Sequence, residues 1–487
     1  MAALKLCIVC SEVMPFAKTG GLADVTGAMI REFSRLDLEV RAFMPLYGTV
    51  RAAYPHFGPV AEVQQKPLFI GATRYEYSLR TALYPGTRSP IYFVDCPAMF
   101  DRPTLYTTDA DEHRRFLLFT RAAVESCGLL GFSPDLFHCH DWHTAFLPLY
   151  LKTVYAADAA VAGAASVLTI HNIGYQGIMP AAAAADLGLG AHASRLDAAD
   201  LRLGRINALK HGIQFADVVS TVSPTYAREI CAAPLGMGLE STLQERADGV
   251  VGILNGVDYS EWDPRRDPYL ATHFGPENLA GKLANKQRLM VASGLRVADA
   301  TPLFAMITRL TGQKGIDLLF DALPALFERR DCALTVLGSG EPEYVTFFEA
   351  LVRRFPGRVA FRGGFDEALA HLIEAGSDIF LMPSRYEPCG LNQMYSLRYG
   401  TIPIVHRTGG LADSVQHFDP ATAEGTGCVF NDFDAPAVTW ALDTTLDWFA
   451  ERGLWGRLMQ NAMAADYSWS RQIGHYEALF RGTRRST

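Results

Sequence analysis

Short apolar runs alternate with amphipathic stretches along most of the chain. The first run, residues 4–10 (LKLCIVC), contains β-branched residues, and a polar segment and then apolar residues at helical spacing follow it. This order predicts a strand, a loop and a helix. Residues 59–96 differ, because period-two runs broken by YPGTRSP predict an antiparallel excursion. The other strands predicted in the first half are residues 38–46, 134–141, 165–172 and 216–223.

A second series of apolar runs begins near residue 302, after a changeover at about residues 251–264. Apolar strands that alternate with helices predict a parallel sheet with both faces covered. The sequence therefore predicts an α/β protein of two doubly wound domains that face a cleft, with ligands outside the carboxyl ends of the strands. The strands predicted in this half are residues 302–310, 331–340, 357–364, 378–384 and 401–407.

Composition and charge restrict the possible partners. The chain has 487 residues, of which 49% are hydrophobic and 20% are charged, as expected for a folded protein with sizeable cores. Its net charge of −8 gives no general attraction to nucleic acid or to anionic lipid, so neither is predicted as a partner. The N-terminus lacks a secretory pattern, no apolar run is long enough to span a membrane, and nine cysteines form no disulfide framework. The expected location is a reducing cytoplasm.

One phrase occurs twice, as KTGGLADV at residues 18–25 and as RTGGLADSV at residues 407–415. Each copy follows a predicted strand and opens a helix. Paired glycines allow close approach of a ligand, and the N-terminus of a helix favours an anion. Lys18 adds a mobile cation. Two ordinary strand–helix turns are the alternative, but the repetition at equivalent positions favours a ligand-binding role.

Two later segments carry further candidate chemistry. Arg309 and Lys314 lie five residues apart on a loop of small polar residues, where two cations suit a diphosphate leaving group. A solvated surface pair is the alternative. Glu387 lies in a turn before a helix, where it could hold sugar hydroxyls or only cap the helix.

Three histidines within residues 138–143 (HCHDWH) suggest a metal site, but no cysteine or carboxylate cluster completes one. We therefore predict no metal and interpret the segment as a polar strand end, with Asp141 and His143 available for hydroxyls. His171 lies at the tip of another strand. The CxxC spacing of residues 7–10 lies along a strand among apolar neighbours, which predicts buried core.

These motifs, in the order KTGGLAD, HDWH, TIHN, R…QKG, SRYEPCGL and RTGGLAD, resemble those of bacterial glycogen synthases and plant starch synthases. The resemblance covers essentially the whole chain. It implies the two-Rossmann glycosyltransferase fold (GT-B) and retaining transfer of glucose from ADP-glucose to the 4-hydroxyl at a non-reducing end of an α-1,4-glucan, without a metal or other cofactor. It also implies an acceptor-side domain at 1–255, a sugar-nucleotide domain at 256–465 and a returning helix at 466–487.

The resemblance further implies a role for each matched residue. The residues that would contact the nucleotide sugar through its phosphates or through a helix N-terminus are Lys18, Gly20, Gly21 and Gly410. Those that would neutralise the leaving diphosphate are Arg309 and Lys314. Those that would hold the transferred glucose are Glu387, the backbone amides of Cys389, Gly390 and Leu391, and, from the first domain, His171, Asp141 and Asn255.

The chain departs from many related retaining transferases at one position. Those proteins have a second glutamate eight residues after the first, where this chain has Tyr395, so the ribose contact is unassigned. No carboxylate stands out as a nucleophile, which favours attack on the same face, with the departing ADP accepting the proton. The alternatives are a UDP-sugar transferase, a non-catalytic glucan-binding protein and a sugar-nucleotide epimerase.

Overall fold

The computed structural model describes residues 3–483 of the protein, which form two compact units. Unit 1 comprises residues 3–222, 227–253 and 472–483, and unit 2 comprises residues 223–226 and 254–471. The domain boundary after residue 255 and the returning helix at 466–487 stay predictions, and residues 484–487 of that helix lie outside the described part. None of the helices within residues 3–483 is long and apolar enough to cross a membrane.

The described part of unit 1 contains twelve strands. They are β1 (Leu4–Val9), β2 (Leu38–Pro45), β3 (Gly58–Pro59), β4 (Lys66–Ile70), β5 (Thr73–Leu83), β6 (Pro90–Asp95), β7 (Leu136–His140), β8 (Ala165–Ile170), β9 (Ile178–Pro180), β10 (Arg205–Asn207), β11 (Val218–Thr221) and β12 (Val251–Gly252). Of these strands, β7 and β8 are buried along their whole length.

Helices separate these strands. They are α1 (Gly21–Phe33), α2 (Gly48–Ala53), α3 (Pro97–Phe100), α4 (Glu112–Leu129), α5 (Leu147–Leu151), α6 (Ala198–Arg202), α7 (Ala208–Phe215), α8 (Pro224–Glu229) and α9 (Glu240–Gln244). Single 3₁₀ segments occur at Trp142–Thr144, Ala181–Ala185 and Gly190–Arg195. The first residues of α8 group with unit 2.

Ten of the strands form the main sheet of unit 1, in the order β12-β11-β8-β7-β1-β2-β6-β5-β3, with β4 paired to β5. The pairs from β12 to β6 are parallel, whereas β3, β4 and β6 each pair with β5 in antiparallel fashion. The antiparallel excursion predicted at residues 59–96 is therefore confirmed. A separate antiparallel pair joins β9 and β10.

Unit 2 contains a six-stranded parallel sheet in the order β15-β14-β13-β16-β17-β18. Its strands are β13 (Leu303–Leu310), β14 (Ala333–Gly340), β15 (Val359–Gly363), β16 (Ile379–Met382), β17 (Ile402–His406) and β18 (Cys428–Phe430). Its helices are α10 (Ala280–Ser293), α11 (Leu319–Arg329), α12 (Pro342–Arg354), α13 (Glu367–Gly376), α14 (Asn392–Arg398), α15 (Gly409–Ser414), α16 (Ala435–Ala450) and α17 (Arg452–Ala464), followed by α18 (Trp469–Thr483), with 3₁₀ segments at Gly312–Lys314 and Ile316–Leu318.

Alternate side chains of β13 enter separate hydrophobic cores. Phe304 and Met306 belong to one cluster of buried residues, and Leu303 and Ala305 belong to another. Successive side chains of a strand point to opposite faces of the sheet, so both faces of this sheet are covered. In numbers counted along unit 2, the strand order is 3-2-1-4-5-6, the order of a doubly wound dinucleotide-binding sheet. The predicted α/β class with two doubly wound sheets is confirmed.

The last helix, α18, contributes to the core of unit 1 from residue 472 onward. The ring of Phe480 lies 5.2 Å from that of Phe33 on α1 and 5.2 Å from that of His138 on β7. Tyr476 and Phe480 are fully buried. Burial of two aromatic side chains stabilises this packing by several kcal/mol, at about 1.5–3 kcal/mol for each large apolar side chain.

Candidate active site

Each sheet reverses its strand order at one point, and the candidate residues of each unit follow the strands beside that point. In unit 1 the reversal lies between β1 and β7, and in unit 2 it lies between β13 and β16. In an open α/β sheet, ligands bind at the carboxyl ends of the strands at such a point. The loop with Lys18 follows β1, and Asp141 follows β7. In unit 2 the loop with Lys314 follows β13, and Glu387 follows β16.

The loop before α1 is held by a buried carboxylate. Glu12 accepts hydrogen bonds from the backbone N–H of Thr19 at 2.5 Å and from the Thr19 hydroxyl at 2.7 Å. Tyr106 donates its hydroxyl to the same carboxylate at 2.6 Å. Lys18 pairs with Asp24 at 2.9 Å, within the repeated phrase itself. Glu12 therefore holds the backbone next to Lys18, and Asp24 pairs with its ammonium, while the lysine side chain stays partly exposed.

Gly20 is extended, with φ −159°, and a Cβ built on it would meet no atom within 4 Å. Neither backbone strain nor packing within the protein therefore requires glycine at this position. Gly21 begins α1, whose first backbone N–H groups lack helical partners. The open space before the helix is consistent with the close approach of a ligand that the sequence predicts.

The sequence did not single out Glu12 or Tyr106. They are 94 residues apart, and neither belongs to a repeated motif. The ring of Tyr106 also stacks on that of His143, with centroids 4.8 Å apart. The position of Glu12 in the loop after β1, three residues beyond the strand, is the one local signal that could have indicated it.

Asp141 has an unusual backbone conformation, with φ 54° and ψ −170°. Its N–H donates to the Thr169 carbonyl at 3.0 Å, and its carboxylate accepts from the backbone N–H of His171 at 2.7 Å. Backbone conformations of this kind cost about 1–3 kcal/mol and cluster at functional sites. Burial raises the pKa of Asp141 to about 7, although the N–H groups of His171 and Asn172 oppose the shift.

The histidines of unit 1 do not form a metal site. Within residues 3–483, no three or more histidine, cysteine, aspartate or glutamate side chains are arranged to hold a metal ion. Burial lowers the pKa of His138, His143 and His171 to about 3 in each case, so the three rings are neutral at pH 7. His171 is half-buried and lies 2.9 Å from His140, measured from Nε2 to Nδ1.

The centre of the unit 2 site is an ion pair. Lys314 Nζ lies 2.6 Å from Glu387 Oε2, and the side chains are 16% and 8% exposed. The Ser384 hydroxyl also donates to Glu387, at 2.9 Å. Gly315 follows Lys314 with φ 66°, and a Cβ there would lie 1.9 Å from the Pro383 carbonyl oxygen. Only glycine lets the lysine loop pack this closely on the segment before Glu387.

The second copy of the repeated phrase packs against the same segment. A Cβ on Gly409 would lie 2.0 Å from the Glu387 carbonyl oxygen, and one on Gly410 would lie 2.1 Å from the Cys389 carbonyl oxygen. The Gly410 N–H donates to the Glu387 carbonyl at 3.0 Å. Gly409 thus has a packing reason to be glycine, in contrast to Gly20, its counterpart in the first copy.

The remaining candidates of unit 2 flank this pair. Arg309 is exposed near the end of β13, and Gly390, with φ 72°, and Leu391 lead into α14. Asn255, which the sequence grouped with the first domain, belongs to unit 2. Burial raises the pKa of the Cys389 thiol to about 12, and hydrogen bonds with Asn255 partly oppose this shift.

Tyr395 is a core residue of unit 2. Its ring is 8% exposed and lies flat on the indole of Trp262, with centroids 4.0 Å apart and an interplanar angle of 1°. Trp262 in turn stacks on His371 at 3.7 Å. The position that carries a glutamate in many related transferases is therefore filled here by aromatic packing.

Two doubly wound sheets, each with charged side chains at the reversal of its strand order, are the arrangement expected of the GT-B fold. The family described as "Starch synthase catalytic domain" matches residues 5–245, and "Glycosyl transferases group 1" matches residues 293–448. The glycogen synthase of Anaeromyxobacter dehalogenans (strain 2CP-C) is 44% identical over 98% of this chain and 99% of its own. That of Koribacter versatilis (strain Ellin345) is 42% identical over 98% of both chains.

Among solved structures, the catalytic domain of starch synthase IV from Arabidopsis thaliana, bound to ADP and acarbose, is 33% identical. It superposes with a TM-score of 0.90 over 99% of both chains. Sucrose-phosphate synthase from Thermosynechococcus elongatus, at 17% identity and a TM-score of 0.61, shares the fold. The chain belongs to the glycogen and starch synthase family of glycosyltransferases, as its motifs predicted.

Proposed function

We propose that the protein transfers glucose from ADP-glucose to the 4-hydroxyl at the non-reducing end of an α-1,4-glucan, with retention and without a divalent metal. The observation that carries this proposal is the Lys314–Glu387 pair at the strand reversal of unit 2. The plant starch synthase at 33% identity, solved with ADP and acarbose, supports the choice of nucleotide and of a sugar-chain ligand.

The leaving group gains negative charge as its bond to the glucose breaks. Lys314 and Arg309 lie on the loop after β13 and within the end of that strand, where they can neutralise a diphosphate. Preorganised charges of this kind act on the transition state more than on the ground state. They supply positive charge that a metal ion provides in other transferases, which is the basis for proposing metal independence.

Glu387 is proposed to bind hydroxyls of the transferred glucose. Its carboxylate already takes Lys314 and the Ser384 hydroxyl as partners. A carboxylate held by a cation and a hydroxyl is a weak nucleophile, which argues against a covalent glycosyl intermediate on Glu387. The nearby N–H groups of Cys389, Gly390 and Leu391 are proposed to complete the sugar contacts, together with Asn255.

Retention then follows from attack on the face that the leaving group departs from. The bond from glucose C1 to the ADP oxygen breaks, and a bond from C1 to the glucan O4 forms on the same face. The O4 proton passes to the departing diphosphate, so atoms and charges balance. We propose that Lys18, Gly20 and Gly21 contact the phosphates, and that Asp141 and His171 contact the sugar. The nine free cysteines favour a reducing cytoplasm as the location.

The test is glucose incorporation into glycogen from labelled ADP-glucose and UDP-glucose in parallel, each with and without EDTA. The anomeric configuration of the new linkage is read by digestion with α- and β-specific glucosidases. Incorporation from ADP-glucose in EDTA, with an α-linkage, is expected. Incorporation only from UDP-glucose would overturn the donor, loss in EDTA would overturn metal independence, and product without acceptor would indicate an epimerase. No incorporation with ADP still bound would indicate a binding protein.

A further inference from the structure

Two histidines at the ends of neighbouring strands share one hydrogen bond. His140 ends β7, His171 follows β8, and these strands pair in parallel with His140 opposite Thr169. Nδ1 of His140 lies 2.9 Å from Nε2 of His171. The ring of His140 is fully buried, whereas that of His171 is half-buried. Only the second ring can therefore reach a ligand.

One proton lies between these two nitrogens. Burial lowers the pKa of His171 to about 3 and the pKa of His140 well below its ordinary value, so each ring carries a single N–H at neutral pH. In one arrangement His140 donates through Nδ1–H to His171. In the other, His171 donates through Nε2–H to His140.

The two arrangements differ at the far nitrogen of His140. Its Nε2 is buried and has no hydrogen-bond partner among the described residues. If His140 were the acceptor, this nitrogen would carry a buried N–H without a partner. If His140 is the donor, it carries only an unused lone pair. Orphaned buried N–H groups are rare in proteins, and unused acceptors are commoner. This difference favours His140 as the donor.

We infer that His140 is a positioning residue that donates Nδ1–H to Nε2 of His171 and thereby fixes His171 as the Nδ1–H tautomer. His171 then presents a hydrogen-bond donor through Nδ1, and it cannot present a lone pair there. Isolated neutral histidine favours the Nε2–H tautomer, so the protein imposes the less common form. That this donor serves a sugar hydroxyl or a phosphate oxygen rests on the proposed function.

The direct test is a long-range ¹H–¹⁵N correlation spectrum of the full chain labelled at histidine, assigned through His140→Asn and His171→Asn. We expect a pyrrole-like shift at Nδ1 of His171 and a pyridine-like shift at Nε2. The reverse pattern in the wild-type protein would overturn the proposal. This spectrum needs no turnover, so it decides the tautomer even if the glucosyl transfer assay fails.

Substitutions then test whether His140 imposes the tautomer. His140→Asn places an amide N–H near the position of Nδ1, so His171 should keep its tautomer and turnover should fall less than about threefold. His140→Leu removes the donor, so His171 should shift towards Nε2–H. Loss of a partner that fixes the tautomer of a metal-binding histidine costs about 10–100-fold in activity, and we take the same scale for His171. We expect that loss in kcat, with a smaller change in the glucan KM.

The exposed His475 on α18 provides the control. His475→Asn should change neither the tautomer of His171 nor kcat. If His140→Leu leaves both the tautomer and kcat unchanged, the proposal is wrong. If His140→Leu fails to fold, the wild-type spectrum and His140→Asn still decide the question, because loss of the Nδ1–H tautomer in His140→Asn would also contradict it.

Discussion

Removal of the Lys314 ammonium should lower both the rate of glucose transfer and the free energy of unfolding, by different amounts. Lys314→Ala leaves the buried Glu387 carboxylate with the Ser384 hydroxyl as its remaining partner in the pair's immediate surroundings. Loss of one preorganised charge-stabilising group lowers turnover by about 10²–10³-fold, which is about 2.7–4 kcal/mol of transition-state stabilisation. Breaking a buried ion pair costs up to about 3–5 kcal/mol of folding free energy. We expect about 1–3 kcal/mol here, because Ser384 still donates and the carboxylate is not fully enclosed.

A double mutant distinguishes the two effects. Lys314→Ala combined with Glu387→Gln removes the unpaired charge, so urea unfolding should recover most of the lost stability. Single-turnover transfer should not recover, because no cation has been restored. Arg330→Ala, which removes a surface ion pair with Asp447, is the control for losing a basic side chain. A turnover loss below about fivefold in Lys314→Ala, or recovery of turnover in the double mutant, would refute the assignment of Lys314 to the leaving group.

Three further predictions concern neighbouring features. Glu387→Ala should lower kcat more than it weakens ADP binding measured by calorimetry, and loss of ADP binding in a folded variant would contradict the sugar assignment. Gly409→Ala should destabilise the protein by about 1–3 kcal/mol in urea, because its Cβ would lie 2.0 Å from a carbonyl oxygen at φ 42°. Gly20→Ala, with open space around its Cβ, should unfold with a free energy within about 0.5 kcal/mol of the wild type. Equal losses of stability in Gly409→Ala and Gly20→Ala would refute this contrast. Burial raises the pKa of Asp141 to about 7, so the folded state holds a proton that the unfolded chain releases near pH 4. The free energy of unfolding should therefore fall as the pH rises from about 4 to 7. Asp141→Asn should make this pH dependence flatter. If the variant has the same pH dependence as the wild type, the raised pKa of Asp141 is contradicted.

The strands of both sheets could be predicted because a buried parallel strand appears in the sequence as a short apolar run between two helical patterns. β13 at Leu303–Leu310 agrees with the prediction of 302–310 within one residue at its start. β18 was not predicted, because Cys428–Phe430 is too short to give a periodic signal. Strand ends could be located from sequence, and so could the charged residues that follow them.

The partners of those residues could not be predicted in the same way. The carboxylate of Glu12 meets Tyr106 across 94 residues, and no periodicity links the two. Glycines at the same position of the two copies of the repeated phrase also have different surroundings. Gly20 faces open space, whereas its counterpart Gly409 is packed against the Glu387 carbonyl. A local pattern shows that glycine occurs at both positions, but only the packing shows why each is needed.

The packing of α18 also affects the order in which the chain can fold during synthesis. The core around Phe33 and His138 is completed by Tyr476 and Phe480, which are made after the whole of unit 2. Domains usually fold as units, the N-terminal one first, as the chain leaves the ribosome. In this chain, the apolar surface of unit 1 that Tyr476 and Phe480 cover stays exposed until more than two hundred further residues, 254–471, have been translated. Truncation before residue 472 should therefore damage the unit that was synthesised first.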